Sequence, residues 1–231
     1  LPSRAAIEPN DSVERYAALG VEVALGTARI VDPWTGEIAG KDGATRRLTS
    51  RAIIIAAGAR PFVPALPGLD ETGYLTSDTL WDALAGMAAP PGRICVLGGG
   101  PIGCELSQAF ARLGSAVTLV EMADRLLLRE DDEVSEAAFR ALEKSGVTVL
   151  TGHRAVRAEA KGSSKTLTVE GPDGAEIIAF DQLIVAVGRV ARLSGYGLEE
   201  LGIDARATVT ADAFLATRFP NIYAAGDVAG Y

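Results

Sequence analysis

The chain has 231 residues, 48% of them hydrophobic, with 22 basic against 30 acidic side chains for a formal charge of −8. That is ample for a packed core, as one large domain or two small ones, and the distributed negative charge argues against a general affinity for nucleic acid or anionic membrane. No apolar run approaches the roughly 20 residues that span a bilayer, no secretory signal precedes the first motif, and two cysteines cannot build a disulfide scaffold, so a globular cytoplasmic protein is expected.

In chain order, GVEVALG at 20–26 is followed by a turn-rich, β-prone region and then by AIIIAA at 52–57, which reads as a buried strand. ICVL at 94–97 reads as the next strand and runs into GGGPIG at 98–103. Ile102, Leu106, Ala109, Phe110 and Leu113 then recur at three and four, the spacing of an amphipathic helix, with Gly114 as its stop. VTLV at 117–120 is a further strand. EDDE at 130–133 suits the solvated start of a second helix, whose stripe is Val134, Ala138, Ala141 and Leu142 and whose stop is Gly146. VTVL at 147–150 follows, and strand alternating with helix predicts a parallel sheet. Three β-prone pieces between 153 and 180, separated by KGSS and GPDG, predict an antiparallel meander. LIVAV at 183–187 and IYAA at 222–225 complete the strands, and Trp34 and Trp81 are expected in local packing.

An internal repeat organises these elements. GVEVALG at 20–26 matches GVTVLTG at 146–152, and IIIAAG at 53–58 matches LIVAVG at 183–188, at offsets of 126 and 130. The later copy has a glycine-rich loop ahead of it, whereas the stretch from Leu1 to Leu19 is too short to carry such a loop with its strand and helix. Positions 1–60 are therefore expected to be the back half of a second unit of the same kind.

Gly98, Gly100 and Gly103 fit GxGxxG between a strand and a helix. The first glycine permits the turn, the second lets backbone approach a pyrophosphate, and the third lets helix pack on strand. Phosphates are expected on the helix N-terminus, where Gly99, Pro101 and Ile102 complete the loop and proline costs no hydrogen bond. Glu121 ends VTLVE at 117–121, where the acidic residue that meets the adenosine ribose is expected. A carboxylate there accepts from both ribose hydroxyls and repels a 2′-phosphate, favouring NAD over NADP, although Arg125 and Arg129 are near enough to blur the preference.

The run CVLGGGPIGCELSQAFARLGSAVTLVE, then VAVGR and TRFPNIYAAGDVAG, resembles the flavin-dependent pyridine nucleotide-disulfide oxidoreductases over essentially the whole chain. The resemblance implies a Rossmann-like three-layer FAD/NAD(P)-binding α/β fold with a parallel sheet and an antiparallel β-meander. A complete NAD domain at 73–190 would interrupt a partial FAD domain formed by 1–72 and 191–231. It also implies Ala57, Gly58, Gly226 and Asp227 at the FAD, although Ala57 replaces a usual threonine. Glu105 would stand near flavin and nicotinamide. Gly188 and Arg189 match a Gly-Arg pair at the end of the NAD domain, without the frequent following proline. The implied reaction passes hydride from NADH to FAD and on to a disulfide or metal ion, in a homodimer.

The family's FAD fingerprint, its pair of redox cysteines and its His-Glu pair have no counterpart in these residues. Cys95 and Cys104 read as small core residues, and His153 as a turn residue. No metal site is expected. The chain alone is expected to bind NAD(H) without turnover; a stand-alone NAD(H)-sensing module and a flavin NADH oxidase or reductase lacking the disulfide are the alternatives.

Overall fold

The computed structural model describes residues 9–10 and 12–230, so the first eight residues of the expected 1–72 segment lie outside the described residues. It divides into two compact units, Leu1–Arg60 with Val190–Tyr231, and Pro61–Arg189.

The first unit begins with α1 (Val13–Ala18), capped by the Ser12 hydroxyl, which accepts from the Arg15 amide. Strands β1 (Thr27–Asp32), β2 (Thr35–Ala39) and β3 (Thr45–Thr49) form an antiparallel meander, and β4 (Ile53–Ile55) follows. β5 (Ala59–Pro61) lies where the chain leaves this unit.

In the second unit, α2 (Leu69–Thr72) and α3 (Leu80–Leu84) precede β6 (Arg93–Leu97), α4 (Pro101–Arg112), β7 (Ala116–Val120), α5 (Asp132–Lys144) and β8 (Thr148–Leu150). The meander β9 (Arg154–Lys161), β10 (Ser164–Gly171) and β11 (Gly174–Phe180) leads to β12 (Gln182–Val185). The parallel sheet has the order β12-β6-β7-β8. Alternate residues of each strand point to opposite faces. Ile94, Val96, Val117, Leu119 and Ile184 meet Leu80, Leu84, Phe110 and Leu142 of the helices. Cys95, Leu97, Val120, Leu183 and Val185 meet Ala158, Leu167, Val169 and Phe180 of the meander. Three layers result, meander, sheet and helices.

The chain re-enters the first unit through β13 (Arg189–Ala191), adds α6 (Leu198–Leu201), and ends with β14 (Ile222–Ala224), which pairs in parallel with β4. Ile30, Ile55, Leu198, Ile203, Ile222 and Val228 fill its core.

The internal repeat is visible in the backbone. Gly20 and Gly146 both take positive φ, +79° and +86°. Each ends a helix with the same pair of bonds: Gly20 N to Ala17 O and Val21 N to Tyr16 O, against Gly146 N to Glu143 O and Val147 N to Leu142 O. These are Schellman caps, which need glycine at the left-handed position. In both units a three-stranded antiparallel meander follows, and then a parallel strand.

Residues 21–25 form no strand, and Val21, Val23 and Leu25 are exposed; their counterparts in β8 pair with β7, whereas among the described residues 21–25 has no such neighbour, and a strand without a ladder partner does not persist. Three sequence expectations change. Residues 61–72 pack in the second unit, although the expected boundary lay at 73. The Ala158 amide donates to Pro67 O at 2.8 Å, and Leu69 is buried beside Phe180. The buried face of α4 is Gly103, Ser107 and Phe110, with Leu113 exposed, and that of α5 includes Ser135 and Leu142, with Val134 and Ala141 exposed. Small residues at 103 and 107 bring α4 close to the sheet, while Phe110 and the half-buried Leu106 pack on its core and Leu113 falls outside it. Trp34 and Trp81 are both about half exposed, at 53% and 46%.

Candidate functional site

β6 is followed by β7 and β8 on one side of it and by β12 on the other. The chain therefore reverses direction across the sheet at β6, and a crevice outside the strand C-termini at such a point is where open α/β sheets take ligands. GGGPIG leaves β6 at that position.

The glycines of the loop have different steric reasons. A Cβ on Gly103 would lie 1.9 Å from Gly98 O, so only glycine lets α4 start this close to β6. Gly98 has φ +110°, and its Cβ would fall 2.5 Å from Ala186 O, which brings the chain leading to Gly188 against the loop. At Gly100 a Cβ would meet nothing within 4 Å. That open approach, ahead of a 12-residue helix with no side-chain cap and no acidic residue in its first turn, suits a pyrophosphate on unpaired amides. Pro101 is exposed and Ile102 half-buried on that turn.

Gly99 lies outside the GxGxxG positions, and its role was not legible in the motif. Its Cβ would lie 2.6 Å from Leu126 Cδ2 and 3.0 Å from both Cβ and Cγ of Glu121. The unbroken GGG run, with a glycine where the motif accepts any residue, was the only signal available. Glu121 itself is half-buried. Its Oε2 accepts from the Gly99 amide at 2.5 Å and its Oε1 from the Ala123 amide at 2.7 Å. Its backbone N donates to Leu150 O, and its carbonyl accepts from His153 N. Arg125 donates to Leu128 O and Glu130 O and pairs with Asp132 at 3.2 Å. Arg129 is exposed.

Cys95 is fully buried, and burial pushes its thiol up to about 12. Cys104 is half-buried and donates to Gly99 O at 3.4 Å. Burial first, and then the charges of Glu121 and Glu105, push it up to about 11. Neither thiol carries thiolate character near neutrality. His153 packs against Gly171, and its Nδ1 lies 2.7 Å from Thr151 O. Among the described residues, no group of three or more His, Cys, Asp or Glu could hold a metal ion, and no helix is long and apolar enough to cross a membrane.

Glu105 is exposed on α4. Gly188 has φ +135°, and its carbonyl accepts from the Phe62 amide. Arg189 donates to Ser77 Oγ at 3.1 Å and lies 3.5 Å from Asp78, partners far away in the chain that sequence reading had not connected. In the first unit, the parallel pairing of β4 with β14 gathers Ala57 and Gly58 with Gly226 and Asp227 at the strand C-termini. The Ala225 amide donates to Ile55 O, and Gly58 and Gly226 both take positive φ. Two segments far apart in the chain are thus brought together beyond the ends of β4 and β14.

A family model described as pyridine nucleotide-disulphide oxidoreductase matches residues 3–231. The mercuric reductase of Streptomyces lividans is 39% identical over 223 residues, which cover 93% of this chain and 46% of that protein. A dihydrolipoyl dehydrogenase of Chlorobaculum tepidum is 38% identical over 215 residues, covering 91% and 44%. Among solved structures, LpdA from Mycobacterium tuberculosis superposes with a TM-score of 0.83 at 28% identity, covering 99% of this chain and 50% of that one. The flavoprotein disulfide reductase RclA from Escherichia coli gives 0.81 at 28% identity, covering 96% and 49%. The chain spans about half the length of these proteins or less. With the glycine loop, the repeated unit and the three-layer sheet in place, the chain belongs to the pyridine nucleotide-disulphide oxidoreductase family.

Proposed function

We propose that this chain forms the NAD(H)-binding part of an FAD-dependent oxidoreductase that passes hydride from NADH to FAD and on to a disulfide or a metal ion. The observation that carries the reading is the open face at Gly100, set between the uncapped start of α4 and the Glu121 carboxylate. When bound, the two dinucleotides supply the hydride chemistry, and the protein supplies position and field.

On this reading the second unit is the NAD domain, and the first is part of an FAD domain. The loop from Gly98 to Gly103 binds the pyrophosphate through the Gly100, Ile102 and Gly103 amides at the start of α4, since the Gly98 and Gly99 amides are bonded to Val120 O and Glu121 and Pro101 has none. Glu121 has an acceptor position left on each oxygen for the ribose hydroxyls, and its charge repels a 2′-phosphate. Arg125 is engaged by Leu128 O, Glu130 O and Asp132 rather than held ready for a 2′-phosphate, so of the two arginines the exposed Arg129 is the one left to weaken the preference. NAD is therefore preferred over NADP. Gly188 closes the NAD site, and Ala57, Gly58, Gly226 and Asp227 approach the FAD. Glu105 helps position flavin and nicotinamide.

Cys95 and Cys104 are held in a strand and a helix as protonated thiols, which supports a chain that binds NAD(H) without turnover by itself. The whole protein is read as a cytoplasmic homodimer. Titration of the 231-residue chain should show NADH bound more tightly than NADPH, and Glu121→Ala should narrow the difference. Equal affinities in the unmodified chain would remove the assignment of Glu121. Purification of a yellow protein with stoichiometric flavin that oxidises NADH would overturn the lack of turnover.

A further inference from the structure

Glu121 is committed before any nucleotide is present. Its two carboxylate oxygens accept from Gly99 N and Ala123 N, and its backbone N and O are both paired across to the β8 side. Its stem lies against the one loop glycine that the motif does not require. The other side of Gly99 is tied as well, its carbonyl accepting from Leu127 N at 2.9 Å. Leu127 holds φ +49°, a conformation uncommon outside glycine.

We propose that Glu121 latches the glycine loop, its carboxylate bonding the Gly99 and Ala123 amides so that the pyrophosphate cradle is preformed, in addition to any contact with ribose. This rests on the reading that the loop binds a dinucleotide. The two tasks are compatible, because the latch uses one acceptor position on each oxygen and leaves another on each. A preformed cradle spends less binding energy on ordering its own backbone. Glu121 is thus a positioning residue for the phosphates, acting through the loop conformation that its bonds to Gly99 and Ala123 fix.

The test uses Glu121→Gln, which keeps the volume but replaces one accepting oxygen with an NH2 group. Amide hydrogen exchange of the nucleotide-free chain is measured at Gly99 and Ala123, with the Gly98 and Glu121 amides, bonded to Val120 O and Leu150 O, as internal references. Affinities for ADP and for 2′,3′-dideoxy-ADP, which lacks both ribose hydroxyls, are measured alongside. The latch predicts exchange faster by about tenfold at Gly99 or Ala123 with the references unchanged, and similar losses of affinity for both nucleotides. Should the Gln variant not fold, Gly99→Ala, which presses a methyl on the Glu121 stem, is read at the Ala123 amide. Exchange within twofold of the native chain at both amides would overturn the latch, as would a loss confined to ADP. If the native chain binds neither nucleotide, the dinucleotide reading fails instead, while the exchange rates still decide the latch.

Discussion

Gly103→Ala asks whether the third glycine of the motif is there for helix packing. In an unconstrained helix the change stabilises by up to about 1 kcal/mol, since glycine is the weaker helix former. Here the new Cβ would lie 1.9 Å from Gly98 O and 3.6 Å from Val96 Cγ1. The nearest atom is backbone, held in a turn whose amide donates to Val120 O, so no side-chain rotation relieves the clash. The start of α4 must move by more than about 1 Å against a close-packed sheet, an overpacking that costs about 1–3 kcal/mol. Subtracting a propensity gain of about 1 kcal/mol leaves a net loss of at most about 2 kcal/mol, or up to about 8 °C in melting midpoint. Thermal unfolding followed by circular dichroism, checked by urea denaturation, reads the sign directly. A variant more stable than the native chain would refute the packing argument.

Gly100→Ala is the complementary case. With open space around the new methyl, its stability should stay within about 0.5 kcal/mol of the native chain, while NADH affinity in a fluorescence titration falls by about tenfold or more as the methyl occupies the approach. The two thiols give a pH dependence. Because their folded values lie above the ordinary thiol value near 9, their contribution to stability is complete below about pH 9 and is lost as pH rises toward 11. Melting midpoints from pH 8 to 11 should fall, and the double variant Cys95→Ala, Cys104→Ala should fall less steeply. At pH 8 a thiol reagent should label both cysteines far more slowly in the folded chain than in urea, because protonation and burial both protect them.

Much of this protein was legible in one dimension. The strands, the two long helices, the meander and the glycine loop follow from residue spacing and from glycine at the turns, which are local properties. The repeat was legible too, and the matching caps at Gly20 and Gly146 show why: each is specified within a single helical turn and the glycine after it. The alternation of Ile94 and Val96 with Cys95 and Leu97 likewise required two different apolar layers on the sheet.

Only the tertiary structure decided matters that depend on partners distant in sequence. The spacing of Leu113 suggested a place on the packed face of α4, and that of Val134 and Ala141 a place on the packed face of α5, but all three are exposed, and spacing alone does not reveal how near a helix sits to its sheet. Residues 21–25 match the segment of β8 in the repeat, yet pairing needs a neighbour. Glu121 was recognisable from its distance to Gly103. That its carboxylate accepts from the Gly99 amide, and that Leu126 and Glu121 both crowd the place of a Cβ at Gly99, emerged only when the ends of β6 and β7 came together, since hydrogen bonds and steric room belong to the fold.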